Sequence, residues 1–211
     1  MENPNEFLQY YPGFISSQLI GDGIINPEIF SIQNPKILFI CKEHNQLLDE
    51  LKNADYKIWW NQGLKYSFSR RIAEWSFGLL NNFEAFDKIT DYDRLKSLQS
   101  IAFINVKKIA AGSKADHNEL NDLIIKSKNS LLNQIRLINP DFIICSLGQW
   151  KLIHSLFDVD WEDFKSVEGM NGSFDWEGIK IIGFRHPSNR KKLADSYELL
   201  KKIAGDMNWN K

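Results

Sequence analysis

Cysteine is scarce in this chain: two residues, Cys41 and Cys145, among 211. Each sits alone inside an apolar, strand-like run. We therefore read both as reduced core residues and expect no disulfide framework. CxxC and HExxH spacings are missing, which argues against a zinc or iron–sulfur site, and neither metal nor cofactor is expected. No apolar run is long enough to cross a bilayer, and MENPNEFLQYY is no signal peptide, so a cytoplasmic protein away from membranes is expected. There is no repeat, no low-complexity segment and no Ser/Gly linker. A surplus of positive charge is missing too: 26 Lys and Arg stand against 27 Asp and Glu, for a net charge of −1. Dedicated nucleic-acid binders often carry a clear positive excess. Its absence counts against tight non-specific DNA binding, although local patches could serve. Lys107, Lys108 and Lys114 form one basic cluster, and Arg185, Arg190, Lys191 and Lys192 another; solvated surface accounts for either equally well.

What is present fits one globular domain with a substantial core. Apolar residues make up 43% of the chain, charged residues 25% and aromatics 13%, with seven tryptophans that could be core or line a cleft. Three continuous apolar runs, at 36–41, 101–105 and 141–147, read as strands buried on both faces. A fourth, 179–184, follows a turn at Gly178 and could pair with 173–176 as a hairpin. Helical spacing of apolar residues marks 63–81 and 116–139, the latter stopping before Pro140, and shorter helices at 148–156 and 192–207. Strands alternating with helices predict an α/β fold, a three-layer α/β/α sandwich around a mostly parallel four-stranded sheet. A single domain over residues 1–211 is expected, with the first thirty residues packed over an edge.

Ligands of open parallel sheets sit beyond the carboxyl ends of the strands. Those ends deliver Glu43, His44 and Asn45 after the first strand, Asn105 after the second, and His186 with Ser188 after the last. A carboxylate, a carboxamide and an imidazole in one crevice suit acid–base or electrostatic catalysis on a small polar ligand. Each has a plainer reading. Glu43 and His44 could cap a helix or face solvent, Asn105 could satisfy loop backbone, and Ser188 could cap the final helix.

Four segments carry a resemblance to the uracil-DNA glycosylase superfamily. ILFICKEHN falls where that family has a strand and then a water-positioning motif, Gly-Gln-Asp-Pro-Tyr or Gly-Glu-Ala-Pro-Gly. IAFINVKK resembles its strand ending in a base-reading Asn. Residues 117–150 resemble its long helix, the Pro-x-x-Ile-Ile-x-x-x-Gly stretch and the start of the next helix. GFRHPS resembles its terminal His-Pro-Ser motif. Order and spacing agree over residues 36 to 205.

The resemblance implies a monofunctional DNA-repair enzyme that extrudes uracil or a related damaged base and hydrolyses its N-glycosidic bond; a monomer is expected. Asn105 would read the base edge and His186 would stabilise charge on the departing base. Glu43 would orient water and stabilise the oxocarbenium-like sugar; in the second motif form the acid falls on Lys42 instead. Tyr66 or Phe68, with Phe68 favoured, would stack on the base, and Trp59 with Trp60 could form a cleft wall. His44 and Asn45 occupy the later positions of the first motif. Lys107, Lys108, Arg190 and Lys191 would meet DNA phosphates, and Leu193 could wedge the duplex or belong to the core. Cys41 stands where the motif has Gly, and the segment after His-Pro-Ser is Asn-Arg-Lys-Lys. A base-binding or nucleotide-binding protein of the same fold without hydrolysis, and a non-enzymatic interaction protein, are the alternatives. Glu43, Asn105 and His186 on the wall of one pocket would separate the last of these from the others.

Overall fold

A computed structural model describes residues 5–45, 54–111 and 115–207; Lys114 of the first basic cluster and residues 1–4 lie outside them. The apolar runs at 36–41, 101–105 and 141–147 become β2 (Ile37–Cys41), β4 (Ala102–Asn105) and β6 (Phe142–Cys145), each buried along its whole length. With β9 (Ile179–Gly183) they form four parallel strands in the order β4-β2-β6-β9. The sheet does not stop at four. Its seven strands run β1-β4-β2-β6-β9-β8-β7, with antiparallel partners at both edges. On one side is β1 (Gly23–Ile24); on the other are β8 (Asn171–Trp176) and β7 (Lys165–Glu168). A separate two-stranded parallel pair joins β3 (His44–Asn45) to β5 (Ala110–Ala111).

Alternation along the central strands divides the core in two. Leu38, Ile40, Ile143, Cys145 and Ile181 face one layer, built largely by α6 (His117–Ile138) and α7 (Trp150–Phe157). Ile37, Phe39, Cys41, Phe103, Ile144 and Ile182 face the other, built by α3 (Tyr56–Asn61), α4 (Ser67–Leu80), α5 (Asp91–Gln99) and α8 (Leu193–Asp206). This is the expected α/β/α layering. The remaining helices are α1 (Asn5–Leu8) and α2 (Pro27–Ile32). Asn139 ends α6 in the left-handed conformation, φ 51°, just before Pro140 forbids continuation. Both cysteines are free and fully buried, and burial pushes their thiols up, Cys145 to about 12. No helix of the described residues is long and apolar enough to cross a membrane.

Candidate functional site

The four parallel strands end along one edge of the sheet, so the segments that follow them are neighbours in space. The ladder between β2 and β4 runs two residues past the strands: Val106 N–H donates to Cys41 O (3.0 Å) and Lys107 N–H to Lys42 O (2.9 Å). Beyond that point the chain turns away and opens a cavity of about 850 Å³. Glu43, His44 and Asn45 line it from the end of β2, and His186 and Ser188 from the end of β9. Tyr56, Trp59 and Trp60 of α3 form an aromatic wall, and the 62–69 segment, with Tyr66 and Phe68, forms the mouth. Seven residues expected at the site, Glu43, His44, Asn45, Tyr66, Phe68, His186 and Ser188, thus share one cavity.

His186 is held as a neutral donor. The Ser188 backbone N–H donates to its Nδ1 (3.2 Å), so Nδ1 carries the lone pair and the ring proton of the neutral imidazole is on Nε2. Burial, aided by the nearby Lys42 ammonium, pushes its pKa down to about 4. Ser188 therefore serves the imidazole and does not cap the last helix, whose N-cap is Lys192. Phe68 packs its ring 5.8 Å from His186 and 6.4 Å from Trp60. Tyr66, 65% exposed, lies at the mouth with the Lys65 ammonium 5.7 Å from its ring centre.

Glu43 has a 6% exposed side chain with the Lys107 ammonium 3.6 Å away. Burial raises its pKa and Lys107 partly offsets the rise. His44 stacks 4.9 Å from Trp59, and its Nδ1 lies 2.8 Å from the Tyr56 hydroxyl.

Asn105 departs from expectation. It is 2% exposed and absent from the cavity wall. Its Nδ2 donates to the Tyr56 hydroxyl (3.3 Å), and Tyr56 is itself a lining residue of the cavity. Its Oδ1 is buried with no hydrogen-bond partner among the described residues. So two of the three groups expected on one wall are there, and the third touches it only through Tyr56.

The expected phosphate contacts divide. Arg190 and Lys191 are exposed. Lys107 and Lys108 are not on the surface: they are 7% and 4% exposed. Lys107 is spent on Glu119 (2.6 Å) and Glu43. Lys108 donates to both oxygens of Asp22 (3.1 and 2.9 Å) and to Gln134 Oε1 (2.7 Å). A buried ammonium must find such partners or lose its charge, and these leave it none to offer outside. Leu193 opens α8 and is half-buried.

Lys42 neighbours the start of α6. Its Nζ lies 3.4 Å from His117 Nε2 at the start of α6, and Gln149 Nε2 donates to His117 Nδ1 (2.8 Å). Burial lowers the pKa of both Lys42 and His117.

Sequence reasoning missed Tyr56, Gln62, Gly63, Leu64, Lys65 and Ser69 as lining residues. The signal available was the i, i+3, i+4 spacing of Tyr56, Trp59 and Trp60, an aromatic face on a short helix. The chain matches no protein-family model and no curated protein.

Proposed function

We propose that the cavity takes a flat heterocyclic base flipped out of DNA, and that the protein hydrolyses the N-glycosidic bond of uracil or a related damaged base. Membership of the uracil-DNA glycosylase superfamily is part of this reading. The observation that carries it is the shared cavity: Glu43 and His186 arrive from two strand ends and line it together, with the ring of Phe68 5.8 Å from the imidazole. As such a bond breaks, the sugar gains positive charge and the base negative charge. The Glu43 carboxylate suits the first, and can hold the attacking water. The Nε2–H of a neutral His186 suits the second, donating to the base oxygen where charge collects. Phe68 supplies the stacking surface that replaces the lost base stack.

Binding of a base or nucleotide without hydrolysis is the second reading. It is favoured by the Lys107 ammonium 3.6 Å from Glu43, which competes for the carboxylate, and by the place of Asn105 off the cavity wall, bonded to the Tyr56 hydroxyl.

Single- and double-stranded oligonucleotides carrying uracil, hypoxanthine or xanthine, treated with alkali after incubation, distinguish the two. Hydrolysis leaves alkali-labile breaks that fall by about 10²–10⁴-fold in Glu43→Gln and in His186→Ala. Intact strands with all three bases overturn the hydrolytic reading. Because burial raises the Glu43 pKa, the acid limb of activity should lie above the ordinary carboxylate range.

A further inference from the structure

We propose that Arg71 is a positioning residue for His186: its guanidinium clamps the turn that carries the imidazole. The inference deepens the reading above and rests on it for its functional meaning. Arg71 lies on α4, three residues after Phe68. One of its terminal nitrogens donates to Asn189 O (2.5 Å) and the other to Lys191 O (3.1 Å). The turn is knit within itself. Asn189 donates to His186 O through both its backbone N–H (2.9 Å) and its Nδ2 (2.7 Å). Lys191 N–H donates to Asn189 Oδ1 (2.8 Å), and Ser188 N–H to His186 Nδ1 (3.2 Å).

What such a turn needs is an anchor to the body of the molecule. Upstream it has one, since Phe184 N–H donates to Cys145 O (2.9 Å) and Arg185 N–H to Asn171 Oδ1 (3.0 Å). Downstream, Ser188, Arg190 and Lys191 are exposed, and Lys192 caps α8 with no side-chain bond. Arg71 ties that outer half to α4, the helix whose Phe68 touches the imidazole. The charges acting on Arg71 are Glu74 and Arg185, and the charge acting on His186 is Lys42, while Glu43 lines the same cavity. A planar fork reaches two carbonyls at once, which a lysine ammonium on a flexible stem does not reproduce. With the clamp gone, the turn swings outward, water reaches the imidazole, and the Ser188 bond that fixes its tautomer loosens.

The plainer alternative is that Arg71 only braces the loop. Histidine titration by NMR separates the two, with the other three of the four histidines as internal references. In the wild type, His186 should titrate near 4 with its proton on Nε2. In Arg71→Ala the midpoint should climb toward the ordinary imidazole value by at least about one pH unit, and the Nδ1 signal should move toward a mixture of tautomers. An unchanged midpoint and tautomer in folded Arg71→Ala overturn the proposal. If that variant does not fold, Arg71→Lys carries the test: a smaller displacement in the same direction supports the clamp, and an unchanged titration overturns it. Absence of strand breaks with the wild type would count against the glycosylase reading alone, because the titration needs no substrate.

Discussion

Lys108 illustrates what one buried ammonium demands of its surroundings. Asp22, Gln134 and the ring of Phe7, 4.7 Å away, enclose it, and Gln134 Nε2 also donates to Asp22 (2.9 Å). Asp22 in turn accepts the Asn105 backbone N–H (2.9 Å). The pair is thus a small network, and removing one member strands a charge in the interior. Lys108→Ala should lose about 3–5 kcal/mol in urea denaturation, because the Asp22 carboxylate remains buried without its counter-charge. Adding Asp22→Asn should recover part of that loss. A cost below about 1 kcal/mol for Lys108→Ala would mean that water reaches the pair readily.

At the scale of elements, α4 and α8 meet at a glycine. Helix-interior Gly→Ala normally stabilises by about 1 kcal/mol. At Gly78 the added Cβ would stand 2.7 Å from Phe83 Cδ1 and 2.7 Å from Tyr197 Cε2, both ring atoms of buried side chains. The sign should therefore invert, and Gly78→Ala should destabilise by about 1–3 kcal/mol, read as a lowered Tm.

Elements with a strong apolar signal were legible in the sequence, and those without one were not. The runs that became β2, β4 and β6 have both faces buried, so every residue had to be apolar. α6 announced itself by its apolar spacing and by Pro140, and its start at Asp116, whose carboxylate accepts from Asn118 and Glu119 N–H, is an ordinary cap. β7 reads Lys-Ser-Val-Glu and faces mostly solvent, and β1 is two residues long, so neither carries a burial pattern. That is why β1 and β7 were not expected, whereas β8 is the hairpin partner of β9 anticipated at 173–176. α4 begins at Ser67 rather than near Gly63, because Gly63 takes φ 132° and turns the 62–66 segment into the cavity mouth.

The site was legible as far as strand ends dictate. Glu43 and His186 line one cavity, as topology requires. The positions of Lys107, Lys108 and Asn105 were set by partners 12 to 86 residues away in the chain, Tyr56 among them, and no local pattern reports such pairings.

For the molecule as a whole, acid stability follows from the depressed His186. An unfolded imidazole titrates near 6.5 and the folded one near 4. Between these values the unfolded chain binds the extra proton, so acidification through that window should cost up to about 3 kcal/mol. Glu43 and Glu74, whose carboxyls burial raises, contribute with the opposite sign as pH falls. His186→Gln isolates the histidine contribution. Between pH 7 and pH 4.5 the wild type should lose about 2–3 kcal/mol more than this variant in urea denaturation. Equal losses would show that the imidazole is hydrated in the folded state.

The N-terminal arm has a consequence for the C-terminal end of β4. The Lys108 amide is held by the Tyr11 hydroxyl (2.7 Å) and the Asn105 amide by Asp22, so side chains from the first 22 residues protect both. Deuterium uptake at these two positions then reports on the arm and not on the strand. A chain trimmed through Tyr11 should exchange at Lys108 first, while Phe39 and Ile144 in the middle of the sheet stay dark.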